Sequence, residues 1–473
     1  MQRAWIGSVL VIGLMAAAGA VTAATQSLTI VHDNDIHGHL RSFCYVEVAM
    51  GPDEHCDLGG AARRASLLRR LRAEAKGPIL LVDSGDTSTR GPLTTEYRGL
   101  DEIAAMNALG YNMAALGNNE FKLLDAEDAQ DAAGAQNALA TMVRASRFPW
   151  ICANVTGADG SPPPGVQPFI VRRVGKLRVA FLGLTTGVSA AYPQTRGLTI
   201  TDPVAAARLW IPKARAKADV VIAVTHIGVA DDLRLVRSTR GIDAVVGGHS
   251  HTFLYKLIEA KNADGVTTPI VQDGEFGVRL GVMHLTFTGD AASGWRIFAY
   301  DDALTAVDAA IRPDPRIARM VQRYASPLDI AVGETGAIAD TPKARMAATA
   351  EALGQAWKAE AGTDVGLQPE GALFEVFRTP RVSRFQLHAI LPFHETVWKG
   401  ELSGARLKAL LEKPSGLGGV MHATIAVEAI DPNRTYSVAT TGFVAAAVMP
   451  GAVDTHQDSR DAVESWLKAR RGA

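Results

Sequence analysis

The stretch "SLTIVHDNDIHG", residues 27–38, decides how the first half of the chain is read. Leu28, Ile30 and Val31 form a short apolar run with β-branched members, the signature of a buried strand. The run then opens into Asp33, Asn34, Asp35 and His37 and stops at Gly38, so a strand delivers polar side chains into a loop. The same grammar recurs in "PILLVDSGD" (78–86), "YNMAALGN" (111–118), "LRVAFLGLTT" (177–186), "ADVVIAVTHIG" (218–228) and "IDAVVGGHSH" (242–251). Between the early runs, "GGAARRASLLRRLRAEAKG" (59–77) and "GLDEIAAMNALG" (99–110) carry helical spacing. Apolar strands alternating with helices predict an α/β layered domain. Polar groups at the carboxyl ends of its strands gather along one sheet edge, where ligands bind.

With 473 residues, 47% hydrophobic and 21% charged, the chain has globular composition and is too long for one core. The pattern changes near residue 312. Beyond it lies a smaller α/β segment with its own helix ("ARMAATAEALGQAWKAEAG", 344–362), mixed strands and a late helix ("SRDAVESWLKARR", 459–471). We divide the chain into an export signal over 1–24, a first domain over 25–325 and a second over 326–473. The signal rests on Arg3, the apolar stretch after it and the small residues ending at Val21-Thr22-Ala23. No later segment is apolar enough to cross a bilayer, so the mature chain is expected to be periplasmic or secreted and free of the membrane. A formal net charge of -1 with no long basic run gives no support to nucleic-acid or membrane-surface binding. Of three cysteines, Cys44 and Cys56 flank a polar loop and can pair in an oxidising compartment. Their spacing, with His55 alongside, does not match a zinc ligand set, and Cys152 in "WICANV" is expected to be a buried, inert thiol.

The strand ends supply Asp35 and His37 from "NDIHG", Asp86 from "SGD", Asn118 from "LGNN", His226 from "VTHIG", and His249 and His251 from "GGHSH". Alone, each has an ordinary structural reading, as a helix cap or a satisfied histidine. Together they suit two metals: Asp35, His37 and His251 around one ion, Asn118, His226 and His249 around the other, Asp86 bridging. The Asp-x-His and His-x-His spacings place both side chains of a pair on one side of an extended segment. Carboxylate, imidazole and amide ligands suit divalent Zn, Mn or Fe rather than soft thiolate-preferring ions. Two such ions acidify a bound water and clamp the oxygens of a displacement.

These motifs in this order, "TIVHDNDIHGHL", "VDSGDTSTRGPL", "LGNNEF", "VTHIG" and "GGHSHT", with "CANV" as a further segment, resemble the 5'-nucleotidase branch of the calcineurin-like metallophosphoesterases. In the second domain "ILPFHETVWKGELSGARLKALLE" resembles the family's proline-phenylalanine stretch and following helix. The resemblance implies a four-layer sandwich, two mixed sheets flanked by helices, followed by a smaller α/β substrate domain. It also implies the same seven metal ligands, two divalent ions with Mn or Zn foremost, and a monomer acting on a small phosphorylated substrate such as a nucleotide. His32 and His39 flank the first motif as candidates for orienting ligands. His284, His388, His422 and His456 show no ligand pattern.

The chain also departs from the family. Where the family reads Gly-Asn-His-Glu-Phe-Asp, its histidine and aspartate positions are occupied here by Asn119 and Lys122. An amide donates a hydrogen bond to a phosphoryl oxygen but cannot hand over a proton near pH 7, so Asn119 stands in the catalytic position with leaving-group help weakened. The family's Asn-x-Gly-Gly-x-Arg phosphate segment is matched by "LQPEGALF", with Pro369 and Phe374 in place of the asparagine and arginine. Its later glycine-rich aromatic segment is not recognisable in "YSVATTGFVAAAVMPGAVDTH". Phe393 is retained as a substrate contact, and Arg378, Arg381 and Arg384 in "FRTPRVSRF" offer replacement positive charge. The leading reading is an exported two-metal phosphoester hydrolase. The alternatives are a metal-bearing protein with weak or no turnover, and an enzyme resembling the thiosulfohydrolases of sulfur oxidation.

Overall fold

The computed structural model describes residues 24–46, 53–123, 131–290, 294–413, 417 and 419–470. Residues 1–23 of the segment read as an export signal lie outside it, and Ala24 begins the first strand. Successive residues of that strand show why it is buried on both faces. Leu28 and Ile30 face one apolar layer and Val31 another, the two-residue period of a pleated strand.

The strand Ala24–Asp33 lies inside a seven-stranded mixed sheet ordered Gly294–Ala306, Arg279–Asp290, Ala24–Asp33, Ile79–Asp83, Met113–Ala115, Trp150–Ile151, Val166–Gln167. A second, six-stranded mixed sheet runs Ile258–Lys261, Thr267–Val271, Ala244–Val246, Val220–His226, Leu177–Thr185, Phe169–Val174. Ile30, Val82 and Met113 of the first sheet pack against Phe181, Ile222 and Val224 of the second. On the outer face of the first sheet, Val31, Leu81 and Ala114 lie under helices Ala61–Glu74 and Leu100–Leu109. On the outer face of the second, Leu182 and Val221 lie under helices Pro203–Arg215 and Val229–Ser238. The expected four-layer sandwich is therefore present. Parallel pairing of Ala24–Asp33 with Ile79–Asp83, and of Val220–His226 with Ala244–Val246, turns their carboxyl ends the same way.

The second domain is a five-stranded sheet, Met421–Ala423, Val365–Pro369, Thr435–Thr441, Thr396–Ser403, Val453–Asp458. Helices Pro342–Ala361 and Ser459–Ala469 cover one face through Leu353, Trp357, Val463 and Leu467. Helices Gly404–Glu412 and Gly442–Val448 cover the other through Leu407, Leu410, Val444 and Val448. The helix Pro315–Ala325, opened by Asp314 with proline at its first position, puts Ile317 and Val321 into the core of the first domain. Cys44 and Cys56 are joined in a disulfide that ties strands Phe43–Tyr45 and His55–Leu58 into a hairpin. Cys152 is buried, and burial pushes its thiol up to about 12.

One buried acid makes the first domain pH-sensitive. Asp101, in the first turn of helix Leu100–Leu109, is fully buried. Burial, with the Glu102 charge beside it, raises its pKa to about 7. The folded protein thus holds a proton that the unfolded chain releases at about pH 4, so this contribution to stability is full in acid and is lost as pH rises through the folded value. Between about pH 5 and 7 the parent is expected to lose stability relative to Asp101→Asn at up to about 1.4 kcal/mol per pH unit. Urea midpoints measured across that range check this, and parallel pH profiles for the two proteins would refute it.

Candidate metal centre

The carboxyl ends of the two sheets deliver six acidic and imidazole side chains to one place. Asp35, His37 and His251 form one group and Asp86, His226 and His249 another, the candidate ligand atoms of each lying within 4.8 Å of one another. The groups meet at the two carboxylates. His37 Nε2 is 3.6 Å from Asp35 Oδ1 and 3.9 Å from Asp86 Oδ2, while His226 Nε2 is 3.2 Å from Asp86 Oδ2 and 3.8 Å from Asp35 Oδ1. Asp86 thus sits between an imidazole of one group and an imidazole of the other. Asn118 follows the strand Met113–Ala115, and its Oδ1 is buried.

The backbone reaches this arrangement differently from the extended segments expected from the Asp-x-His and His-x-His spacing. Asp35, His37, His249 and His251 all have positive φ (52°, 49°, 82° and 52°), as does Asp86 at 56°. Left-handed backbone is uncommon outside glycine and is retained where surrounding structure over-determines it. The pairs converge because the loops curl back at each ligand, not because a straight strand alternates. Gly117 is required for closeness: a Cβ there would stand 2.2 Å from Asp86 Oδ1. Glu120, fully buried, accepts from the backbone N of Asp86 (2.9 Å) and of Gly117 (2.7 Å), locking two ligand-bearing loops together.

The imidazoles are aimed by their second nitrogens. His226 Nδ1 is hydrogen-bonded to the Ser84 carbonyl at 2.9 Å, and His251 Nδ1 is paired with Glu275, which also accepts from Tyr45 Oη at 2.6 Å. Both Nε2 atoms are thereby left for a ligand role. Asp35 Oδ2 accepts from Asn34 Nδ2 (2.6 Å) and from His249 N (2.8 Å); Asp35 Oδ1 is 3.1 Å from His251 Nε2 and His226 Nε2 is 3.2 Å from Asp86 Oδ2, ion-pair contacts without hydrogen-bond alignment, and Asn118 Oδ1 is buried with no hydrogen-bond partner. Buried polar atoms left in this state need a guest, and oxygen and imidazole donors together suit borderline divalent cations. The residues fit two metals. Burial opposes charge on both carboxylates, yet His226 holds Asp86 and Asp35 well below their ordinary range. Conversely, burial opposes protonation of His251, but its pairing with Asp35 and Glu275 carries its pKa up to about 10. Imidazolium charge on His226, whose pKa burial opposes but Asp86 and Asp35 raise to about 9, and on His251 thus balances the carboxylates, the part a dication would take.

Asn119, 1% exposed, donates its backbone N (2.7 Å) and Nδ2 (2.5 Å) to Asp86. In this geometry its amide holds the shared carboxylate. Lys122 Nζ lies 3.9 Å over the Tyr192 ring. His32 pairs with Asp302 at 3.0 Å, and His39 bonds the carbonyls of Ile36 and His37 at 3.1 Å each. His284, His388 and His422 bond Thr29, Arg460 and Glu370, and His456 lies exposed. None of these six belongs to a candidate ligand group among the described residues. The Cys44–Glu54–Cys56 proximity offers no thiolate because both sulfurs are in the disulfide.

On the second domain, Phe393 packs edge-on to Phe374 with ring centroids 5.3 Å apart. Together with Phe443 they line a pocket of about 200 Å³. Arg378 is held by Glu54 (2.7 Å) and Glu375 (2.8 Å), Arg384 by Glu464 (3.0 Å), and Arg381 is exposed on a short strand. Two of the three arginines read as spare charge therefore already have acids. The positively charged neighbour that the sequence reading passed over is Arg90, whose charge acts on His37, Lys122 and Tyr192.

Residues 28–253 match the calcineurin-like phosphoesterase family model, and residues 329–426 match the 5'-nucleotidase C-terminal domain model. A snake venom 5'-nucleotidase of Gloydius brevicauda is 30% identical over 295 residues, which is 57% of this chain and 47% of that protein. This chain spans about half the length of the curated relatives it matches. Among solved structures, a 5'-nucleotidase precursor from Thermus thermophilus superposes with a TM-score of 0.72 at 24% identity, covering 94% of this chain and 96% of that one. A sulfate thiohydrolase from the same organism superposes at 0.67 with 18% identity, covering 94% of each chain. At these identities the two structures establish the fold.

Proposed function

The chain belongs to the calcineurin-like phosphoesterases that carry a 5'-nucleotidase C-terminal domain, and from that premise we propose that it is an exported, metal-dependent hydrolase of small phosphoesters. The observation that carries this reading is the meeting of two ligand groups at Asp86, His37 Nε2 of one lying 3.9 Å and His226 Nε2 of the other 3.2 Å from its Oδ2. Two divalent ions, Mn or Zn, would be held by Asp35, His37, Asp86, Asn118, His226, His249 and His251. When bound, they supply an activated water and stabilise the charge of the phosphoryl transition state. The chain's own part is positioning. Ser84 and Glu275 fix two imidazoles with Nε2 inward, and Asn119 steadies the shared carboxylate. Phe374, Phe393 and Phe443 offer an apolar wall to a flat leaving group such as a nucleoside. Export is supported by the N-terminal sequence and by a disulfide of the kind that persists in oxidising compartments.

The test is a panel of monoesters, diesters and nucleotides presented to metal-free protein reloaded with Mn or Zn. Hydrolysis of at least one class, abolished by chelation, is expected. Protein that carries two ions per chain and turns over nothing on the panel overturns the proposal. Asn119 favours one second reading, a metal protein with little turnover, since its amide is committed to Asp86 and carries no transferable proton.

A further inference from the structure

Arg90 is a cation without a counter-charge in a chain whose buried and bridging arginines find acids. Arg64 pairs with Asp33 and Glu102, Arg345 with Glu54, and Arg378 with Glu54 and Glu375. Among the described residues no carboxylate or carbonyl accepts from Arg90, and its Nε is buried with no hydrogen-bond partner. It stands four residues past Asp86 in the same loop, and it follows Thr89 in left-handed backbone, with φ of 68° and 64° for the two residues. Such conformations persist when something holds a side chain in place. Here the second domain does so: the Phe374 ring centroid is 5.9 Å from the guanidinium carbon. Both residues line a cleft of about 530 Å³ between the domains, which His39 also lines, two residues from the ligand His37. A second cation, Lys122, makes no ion pair among the described residues; it rests on the Tyr192 ring and feels the charges of Asp86 and Arg90.

If Asp35 and Asp86 are taken up by two divalent ions, Arg90 and Lys122 add positive charge that only a bound anion offsets. We infer that Arg90, with Lys122 supporting it, is the seat of the substrate's outer phosphoryl oxygens and selects the dianionic terminal phosphate of a monoester over the monoanionic phosphate of a diester. The guanidinium fork suits two oxygens of one phosphate. Phe374 acts as a positioning residue for that fork, so the aromatic side chain standing where the sequence comparison expects an arginine steers an arginine from the other domain. The inference rests on the hydrolase reading for its consequence in turnover, but anion binding itself does not.

The experiment compares the full mature chain, loaded with Mn, with Arg90→Met, Arg90→Lys and Phe374→Ala. Inorganic phosphate is the binding probe, read by calorimetry, and metal content is read by elemental analysis. Expected are unchanged metal content, phosphate affinity lower by about 10- to 100-fold in Arg90→Met with partial recovery in Arg90→Lys, and a smaller loss in Phe374→Ala. Where an ester is turned over, KM for a monoester rises by a similar factor and KM for a diester changes little. Arg90→Met with full metal and parental phosphate affinity overturns the inference while leaving the hydrolase reading standing. Arg90-dependent phosphate binding without turnover of any ester upholds the inference and overturns the hydrolase reading.

Discussion

An Asp86→Asn protein is expected to retain at most one divalent ion per chain after dialysis and to hydrolyse esters about 10³-fold more slowly than the parent. The reason lies in what surrounds the two carboxyl oxygens. Oδ1 accepts from the Asn119 backbone N and Oδ2 from Asn119 Nδ2, with His226 Nε2 3.2 Å from the same Oδ2. A carboxamide turns its NH₂ against one of these donors whichever way it is placed, so the substitution loses both the charge and the hydrogen-bonding pattern. Gly117 lies against the same oxygen, where an added Cβ would stand 2.2 Å from Oδ1. Losing one ion removes several kcal/mol of charge stabilisation, which the rate factor expresses. Elemental analysis together with kcat on any ester found active decides the matter. A variant that keeps two ions and stays within tenfold of parental activity contradicts a shared role for Asp86.

The second large effect is on stability. Arg64→Met is expected to destabilise the first domain by about 3–5 kcal/mol, because it strands buried acids rather than breaking a surface pair. Arg64 is 1% exposed and reaches Asp33 at 3.4 Å, Glu102 at 3.2 Å and the Tyr111 hydroxyl at 3.2 Å. Tyr111 in turn donates to Asp33. Removing the guanidinium leaves Asp33 and Glu102 in a low-dielectric layer with no cation. Asp33 ends the strand that leads directly to Asp35, so weaker metal retention should accompany the loss of stability. Urea unfolding of the metal-free proteins isolates the folding term. A shift below about 1 kcal/mol, in the range of an exposed pair, shows that the network contributes little.

Much of this architecture was legible in the sequence because its signals are local. Strands such as Val220–His226 are unbroken apolar runs, and each ends in its ligand, so strand, edge and chemistry are written within a few residues. The acids and histidines of the ligand grouping, all but Asn118, lie in the two clusters. What could not be read depends on tertiary meeting points. Glu275 lies in an ordinary loop, far from His251 in sequence, and only the fold turns it onto that ring. Arg378 looked like spare charge until Glu54 was brought against it from the first domain. Asn119 was readable as an amide but not as an amide facing Asp86, since that depends on the tight 3₁₀ turn Asn119–Phe121. In "FRTPRVSRF" the alternation hid a boundary: Arg381–Ser383 is a strand, and Ser383 then caps the helix Arg384–Ile390 through Gln386 N. Arg90 sits inside the quoted "VDSGDTSTRGPL" stretch, but nothing in that stretch tells whether an acid meets it, and its meaning comes from what it lacks.

The disulfide hairpin joins two things that would otherwise be independent. One strand carries Tyr45, whose hydroxyl holds Glu275 and through it the ring of His251. Just before the other strand, Glu54 is gripped by Arg345 and Arg378 of the second domain, and Arg378 also donates to the Cys44 carbonyl. The Cys44–Cys56 bond ties the two strands together. The aim of a ligand imidazole in the first domain thus depends in part on ion pairs that reach the hairpin from the second, so the bracket around His251 is built by both domains.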